Sequence, residues 1–266
     1  MVRNSIGLIV LAVACCFSGL SRAEIIAGKP TVLITGSNRG IGFEFVSQYS
    51  QRGWNVIATA RKPDQAEELN KLAAERNNIT VEQLDVTDYE RIDELAEKYQ
   101  DQAIDVLLNN AAITPKYMSA FKSVSGVDFD MARRSFEVNA LAPLKLSQAF
   151  MPHIESSEQK KIVVISSKAG SFAESPKRAM MYGYRASKAA LNMFMYTLAF
   201  ETADDDVIVT LFSPGTVNTM GFVGRLMPNA IQPEESVANM IKQIDRLTAT
   251  HNGKMISHID GSVIDW

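Results

Sequence analysis

Tyr184 and Lys188 stand four residues apart in the run Tyr182-Gly183-Tyr184-Arg185-Ala186-Ser187-Lys188. If the segment is helical, that spacing stacks both side chains on one face. An ammonium beside a phenol favours the phenolate and draws its pKa from about 10 toward working pH, which makes Tyr184 a usable general acid and base. Tyr182 competes by position only, because the residue four beyond it is Ala186.

A second chemical signal lies near the start of the chain. Thr35-Gly36-Ser37-Asn38-Arg39-Gly40-Ile41-Gly42 follows a β-branched run and leads into a segment of helical period. Glycines let a backbone approach a phosphate closely, and a helix N-terminus presents unpaired N–H groups and a positive dipole end. The expectation is a dinucleotide pyrophosphate held by Gly36, Ser37, Asn38, Arg39, Gly40, Ile41 and Gly42, although the glycines read G-x-x-x-G-x-G instead of G-x-G-x-x-G. Arg39 lies inside this turn and Arg61 follows the second β-branched run, where no acid stands. An acid at that corner suits the ribose of NAD, whereas arginine accommodates the 2′-phosphate of NADP. NADP(H) is therefore expected in preference to NAD(H).

These groups need elements to hold them. Short apolar runs predict strands at Thr31–Thr35, Asn55–Ala60, Thr80–Leu84, Ile104–Leu108, Lys161–Ser166, Val207–Phe212 and Gly253–Ser257. Helical periodicity fills Gly42–Arg52, Asp64–Arg76, Asp88–Tyr99, Phe129–Ala149, Tyr182–Ala203 and Pro233–Ala249. Alternation of this kind predicts βαβ units and a seven-stranded parallel sheet. The loop Pro214–Gln232, rich in Gly and Pro, follows a strand's carboxyl end and is expected to act as a flap. No composition break marks a second domain, so residues 24–266 read as one domain.

Residues 1–23 read differently. Arg3, the apolar run Ile6–Leu20 and Ser21-Arg22-Ala23 make a secretory signal cleaved after Ala23, or an uncleaved anchor, and predict export or membrane attachment. Of the whole chain's 266 residues, 27 are basic and 30 acidic, for a net charge of −3. Loss of residues 1–23 removes two arginines and no acid, leaving −5. That balance attracts no phosphodiester backbone, so no nucleic-acid partner is expected. The two cysteines, Cys15 and Cys16, lie inside the signal, and the three histidines show no ligand spacing. No disulfide framework and no metal site is expected. His153, His251 and His258 read as surface or sheet-end residues.

From residue 30 onward the chain resembles the short-chain dehydrogenase/reductase family. The resemblance rests on the glycine turn, Asp85-Val86-Thr87, Asn109-Asn110-Ala111-Ala112, Asn139, Ser166-Ser167, Tyr184-x-x-x-Lys188 and Pro214-Gly215, in that order. Within the family it is similar to the Sniffer-like and C-factor-like NADPH-dependent carbonyl reductases, by Ile165-Ser166-Ser167-x-x-Gly170-Ser171 and Asp260-Gly261-x-x-x-x-Trp266.

The resemblance implies a Rossmann-type doubly wound α/β fold with strand order 3-2-1-4-5-6-7 and helices on both faces. It implies a catalytic set of Asn139, Ser167, Tyr184 and Lys188: Ser167 orients the substrate carbonyl, Lys188 tunes Tyr184 and grips the ribose, and Asn139 holds a proton-relay water. Asp85 would bond the adenine with Val86 beside it, Asn109 and Ala111 would line the cofactor, and Pro214, Gly215 and Thr219 would close over nicotinamide and phosphates. Two departures stand out. Ala112 replaces the usual glycine, which predicts crowding of that turn, and the interval Lys168–Gly183 is long, which predicts a loop over the substrate.

The expected partner is a small carbonyl or alcohol, and homodimers or homotetramers are implied. Two other readings remain beside this one: a nucleotide-binding signalling protein with incidental catalysis, and an isomerase or epimerase on the same scaffold. The intact catalytic set argues against the first. Export conflicts with a cofactor that is scarce outside the cytoplasm.

Overall fold

The computed structural model describes residues 25–114, 121, 123–219 and 230–266. Residues 1–23, with the expected signal, lie outside the described residues, as does the middle of the Pro214–Gln232 loop.

Every residue of β1 (Thr31–Ile34), β2 (Asn55–Ala60), β4 (Val106–Asn109) and β5 (Lys161–Ile165) is buried. Strands this apolar on both faces belong inside a parallel sheet covered by helices. With β3 (Ile79–Gln83), β6 (Ile208–Ser213) and β7 (Lys254–Ser257) they pair in parallel in the order β3-β2-β1-β4-β5-β6-β7. This is the order the family resemblance implies. Successive side chains alternate between the faces. Leu33, Leu107, Ile162 and Val164 enter one core, while Val32, Ile34, Val106, Leu108 and Val163 enter the other.

The helices divide accordingly. α1 (Gly40–Gln51), α2 (Glu67–Glu75) and α7 (Pro233–Asp245) cover the second face with Phe45, Leu69 and Met240. α3 (Tyr89–Lys98), α5 (Ala142–Glu155) and α6 (Tyr182–Glu201) cover the first with Ile92, Phe150 and Met195. Asp88 caps α3 by accepting from the Arg91 N–H at 3.1 Å, and Asp128 caps α4 (Phe129–Phe136) through Met131 at 3.0 Å.

Two expected helices are interrupted. The segment after β2 is a 3₁₀ turn, Pro63–Gln65, followed by α2. The continuous helix expected from Phe129 to Ala149 is instead α4, a π-helical turn at Glu137–Leu141, and α5. Pro143 supplies the reason. It has no N–H to give the carbonyl four back, Asn139, or five back, Val138, so regular hydrogen bonding cannot pass through this turn. At β4 the strand starts later than expected, and the Asp105 carboxylate accepts the Thr31 N–H at 2.8 Å.

Candidate active site

The end of β1 turns sharply at Gly36, whose φ of +70° suits glycine, and Gly40 follows at +60°. A β-carbon on Gly36 would lie 2.9 Å from Ala111 Cα, and one on Gly42 would overlap the Gly36 carbonyl oxygen. The spacing G-x-x-x-G-x-G is thus enforced by close backbone packing. Arg39 occupies the N-cap of α1 with no side-chain cap bond, so the first-turn N–H groups have no capping side chain. Ser37 behaves otherwise than expected. Its N–H goes to the Thr59 carbonyl at 2.9 Å and its hydroxyl to the Ile34 carbonyl at 2.9 Å, so it shapes the turn and offers no free donor. Ile41 packs on the second core, and Asn38 is exposed.

The turn is bound to the end of β4. Thr35 Oγ1 accepts from the N–H groups of Asn110 and Ala111, both at 3.0 Å, and Asn110 Nδ2 donates to the Thr35 carbonyl at 2.8 Å. Asn109 is buried, and neither atom of its amide has a hydrogen-bond partner among the described residues. A cradle closed to side chains, uncapped N–H groups and an orphaned buried amide together fit a dinucleotide. Ala112, where the family resemblance leads one to expect glycine, is exposed and does not have a positive φ, so its backbone does not require glycine.

Arg39 and Arg61 follow the adjacent parallel strands β1 and β2 and are both exposed, and Arg61 lies near enough to Asp85 to act on its carboxylate. Asp85 Oδ1 accepts from the Thr87 N–H at 3.1 Å and its hydroxyl at 2.8 Å. Burial works to raise the Asp85 carboxyl, but these bonds, with Arg134 and Arg61 nearby, hold it below the ordinary carboxylate range. Val86 is buried beside it.

At the ends of β4 and β5 the four expected catalytic residues gather. Ser167 lies close enough to Tyr184 to act on its phenol, and its Oγ accepts from the Ala169 N–H at 3.1 Å. Asn139, fully buried, accepts from the Ile113 N–H at 2.8 Å and donates to the Ile113 carbonyl and to Ser187 Oγ, both at 3.0 Å. Ser187 in turn donates to the Tyr184 carbonyl at 2.8 Å. The π turn is thereby tied to α6. Both N–H groups of the Asn139 amide are thus engaged, while Oδ1 accepts one bond.

One electrostatic expectation is corrected. Lys188 Nζ donates to the Ile165 carbonyl at 2.8 Å, and burial alone draws its ammonium down to about 7. Tyr184 is raised by burial, offset in part by Ser167, and is not lowered. Desolvation disfavours both charged forms here, and the lysine is turned to a carbonyl.

The flanking loops are anchored. Pro214 receives a hydrogen bond on its carbonyl from Ser236 Oγ at 2.8 Å, and Gly215 has φ +81° with a missing β-carbon only 2.6 Å from His258 Cε1. His258, which sequence reading gave no role, therefore backs the turn next to the site. Thr219 reaches Gly40, where a β-carbon would meet its Cγ2 at 3.1 Å. The Lys168–Gly183 loop is pinned by Arg185, whose guanidinium donates to Ser175 Oγ at 2.6 Å and the Arg178 carbonyl at 2.9 Å. Ser187, Asn110 and Arg134 were missed as site residues. Ser187 and Asn110 sit inside quoted motifs, but nothing local to Arg134 signals its neighbours. His153 is buried against the Ala96 carbonyl, not at the surface. Among the described residues, no group of His, Cys, Asp and Glu is placed to hold a metal, and no helix is long and apolar enough to cross a membrane.

Residues 30–225 match the family model described as short chain dehydrogenase. The chain is 33% identical over 240 residues to a 1-hydroxy-2-glutathionyl-2-methyl-3-butene dehydrogenase of Rhodococcus sp. strain AD45, covering 89% of this chain and 99% of that one. It is similar to the NADPH-bound carbonyl reductase from chicken fatty liver, with TM-score 0.81 and 30% identity over 90% of this chain and 99% of that one. It is also similar to the carbonyl reductase Sniffer of D. melanogaster, with TM-score 0.80 and 26% identity over 90% and 100%.

Proposed function

The chain belongs to the short-chain dehydrogenase family, and on that premise we propose that it is an NADP(H)-dependent carbonyl reductase, reversible as an alcohol dehydrogenase, with Tyr184 as proton donor and acceptor. Membership itself makes it an NAD(P)-dependent oxidoreductase acting on CH–OH or C=O groups. The observation that carries the finer reading is the convergence of Ser167, Tyr184, Lys188 and the Asn139–Ser187 link beside the glycine cradle.

The uncapped N–H groups after Arg39 would hold the pyrophosphate. Arg39 and Arg61 would take the 2′-phosphate, with the chicken liver enzyme's bound NADPH in support. Asp85 and Val86 would meet the adenine, Asn109 and Ala111 the ribose and nicotinamide side, and Pro214, Gly215 and Thr219 would close over it. When bound, the nicotinamide supplies or takes a hydride. Ser167 holds the substrate oxygen and Tyr184 protonates it in reduction. Because burial raises the phenol, Tyr184 carries its proton at neutral pH, the state reduction requires.

Purified protein screened against aldehydes, ketones and quinones is expected to consume NADPH. Tyr184→Phe should lower turnover by about 100-fold or more while leaving NADPH binding intact. Near-normal turnover in that variant would remove Tyr184 from the mechanism. We further propose a single domain over residues 24–266, a small carbonyl or alcohol as its partner, self-association as a dimer or tetramer, and export or anchoring through residues 1–23. Phe129, Met193 and Phe200, exposed on α4 and α6, support self-association.

A further inference from the structure

Arg134 closes the last turn of α4, 47 residues beyond Thr87, and its guanidinium reaches back across that interval. Nη1 donates to Thr87 Oγ1 at 2.9 Å, and Nη2 lies 3.5 Å from Asp85 Oδ2. Nη1 also lies 3.5 Å from Glu137 Oε2, at the start of the π turn. Thr87 Oγ1 meanwhile donates to Asp85 Oδ1, so the Asp85 carboxylate is fixed on one oxygen by Thr87 and faced on the other by Arg134. The side chains of this pair are 39% and 30% exposed. An ion pair so exposed contributes little to stability. Its consequence lies in where it holds the carboxylate.

We infer that Arg134 is a positioning residue for base recognition: it clamps Asp85 as an oriented, ionised acceptor and so makes the site select a 6-amino purine over a 6-oxo purine. This rests on the reading above that Asp85 meets the adenine of a bound dinucleotide. The 6-amino group of adenine donates to a carboxylate. The 6-oxo group of hypoxanthine presents an acceptor to the same oxygens and is repelled. A carboxylate fixed at both oxygens cannot turn to avoid that clash. One released from Arg134 can rotate about its remaining Thr87 contacts. The guanidinium also joins the base-binding turn to the π turn that carries Asn139, a link that neither segment shows alone.

The test is fluorescence titration of the full chain with NADPH and with its hypoxanthine analogue, for wild type, Arg134→Gln, Arg134→Lys and Thr87→Val, each checked by thermal unfolding. Wild type should prefer NADPH by about tenfold, the scale of a single charged hydrogen bond at a partly exposed site. Arg134→Gln should reduce that preference to about threefold or less, Arg134→Lys should restore much of it, and Thr87→Val should weaken it by removing the bridging hydroxyl. A wild-type preference unchanged in Arg134→Gln and Thr87→Val overturns the inference and leaves the cofactor reading standing. Wild type that binds neither dinucleotide, or both alike, overturns the placement of Asp85 and the inference with it.

Discussion

Lys188 carries a pH dependence whose sign follows from burial. The unfolded chain holds this proton up to about 10.5, whereas the folded protein releases it above about 7. Between those values the unfolded state binds more protons, so the protein without cofactor should gain stability as pH rises from about 7 toward 9. Below about 7 the cost of burying the charge is present in full. Urea unfolding across that range should show the rise in wild type and a flatter profile in Lys188→Met. Equal slopes in the two proteins would mean that Lys188 is not desolvated as described. None of this was visible in the residue spacing. Tyr-x-x-x-Lys placed both groups on one helical face, and α6 confirms that, but the direction of each shift is set by burial, which other parts of the fold supply.

Elements were legible where period and length agreed. Seven apolar runs became seven strands, because a strand buried on both faces is apolar throughout, and the helices between them kept their 3.6-residue stripes. The π turn was not legible from periodicity, because one extra residue per turn barely disturbs an apolar stripe. Pro143, at the residue whose missing N–H decides the turn, was the signal. Asn139 supports this turn by satisfying both backbone groups of Ile113. Replacing it with alanine leaves those groups and Ser187 Oγ without that partner. Asn139→Ala should therefore lose about 2 kcal/mol of stability, measured by equilibrium urea unfolding. A loss below about 0.5 kcal/mol would show that water replaces the amide without cost. Contacts such as Arg134 to Thr87 stayed hidden because they join α4 to the turn after β3, and no local pattern records such a meeting.

For the whole molecule, a net charge of −3 gives no general attraction for an anionic cofactor. Any preference for the phosphorylated dinucleotide must then be local, and the reading proposed above puts it at Arg39 and Arg61. Arg61→Ala should raise the dissociation constant for NADPH about tenfold or more and that for NADH far less, by titration at fixed ionic strength. Equal changes for both would place the 2′-phosphate elsewhere. The strand order sets one further condition. β1 has β2 on one side and β4 on the other, and Thr35 at its end is sealed by Asn110 and Ala111. In the time order of synthesis, the glycine turn exists long before its wall. At about 5–20 residues per second, the interval from Gly36 to His258 takes roughly 10 to 45 s on the ribosome. For the first part of that time, until β4 has emerged, β1 offers an open apolar edge beside the glycine turn. The half of the sheet made first is therefore the half that must wait, and a chain stalled before Ala111 has the cradle without its wall.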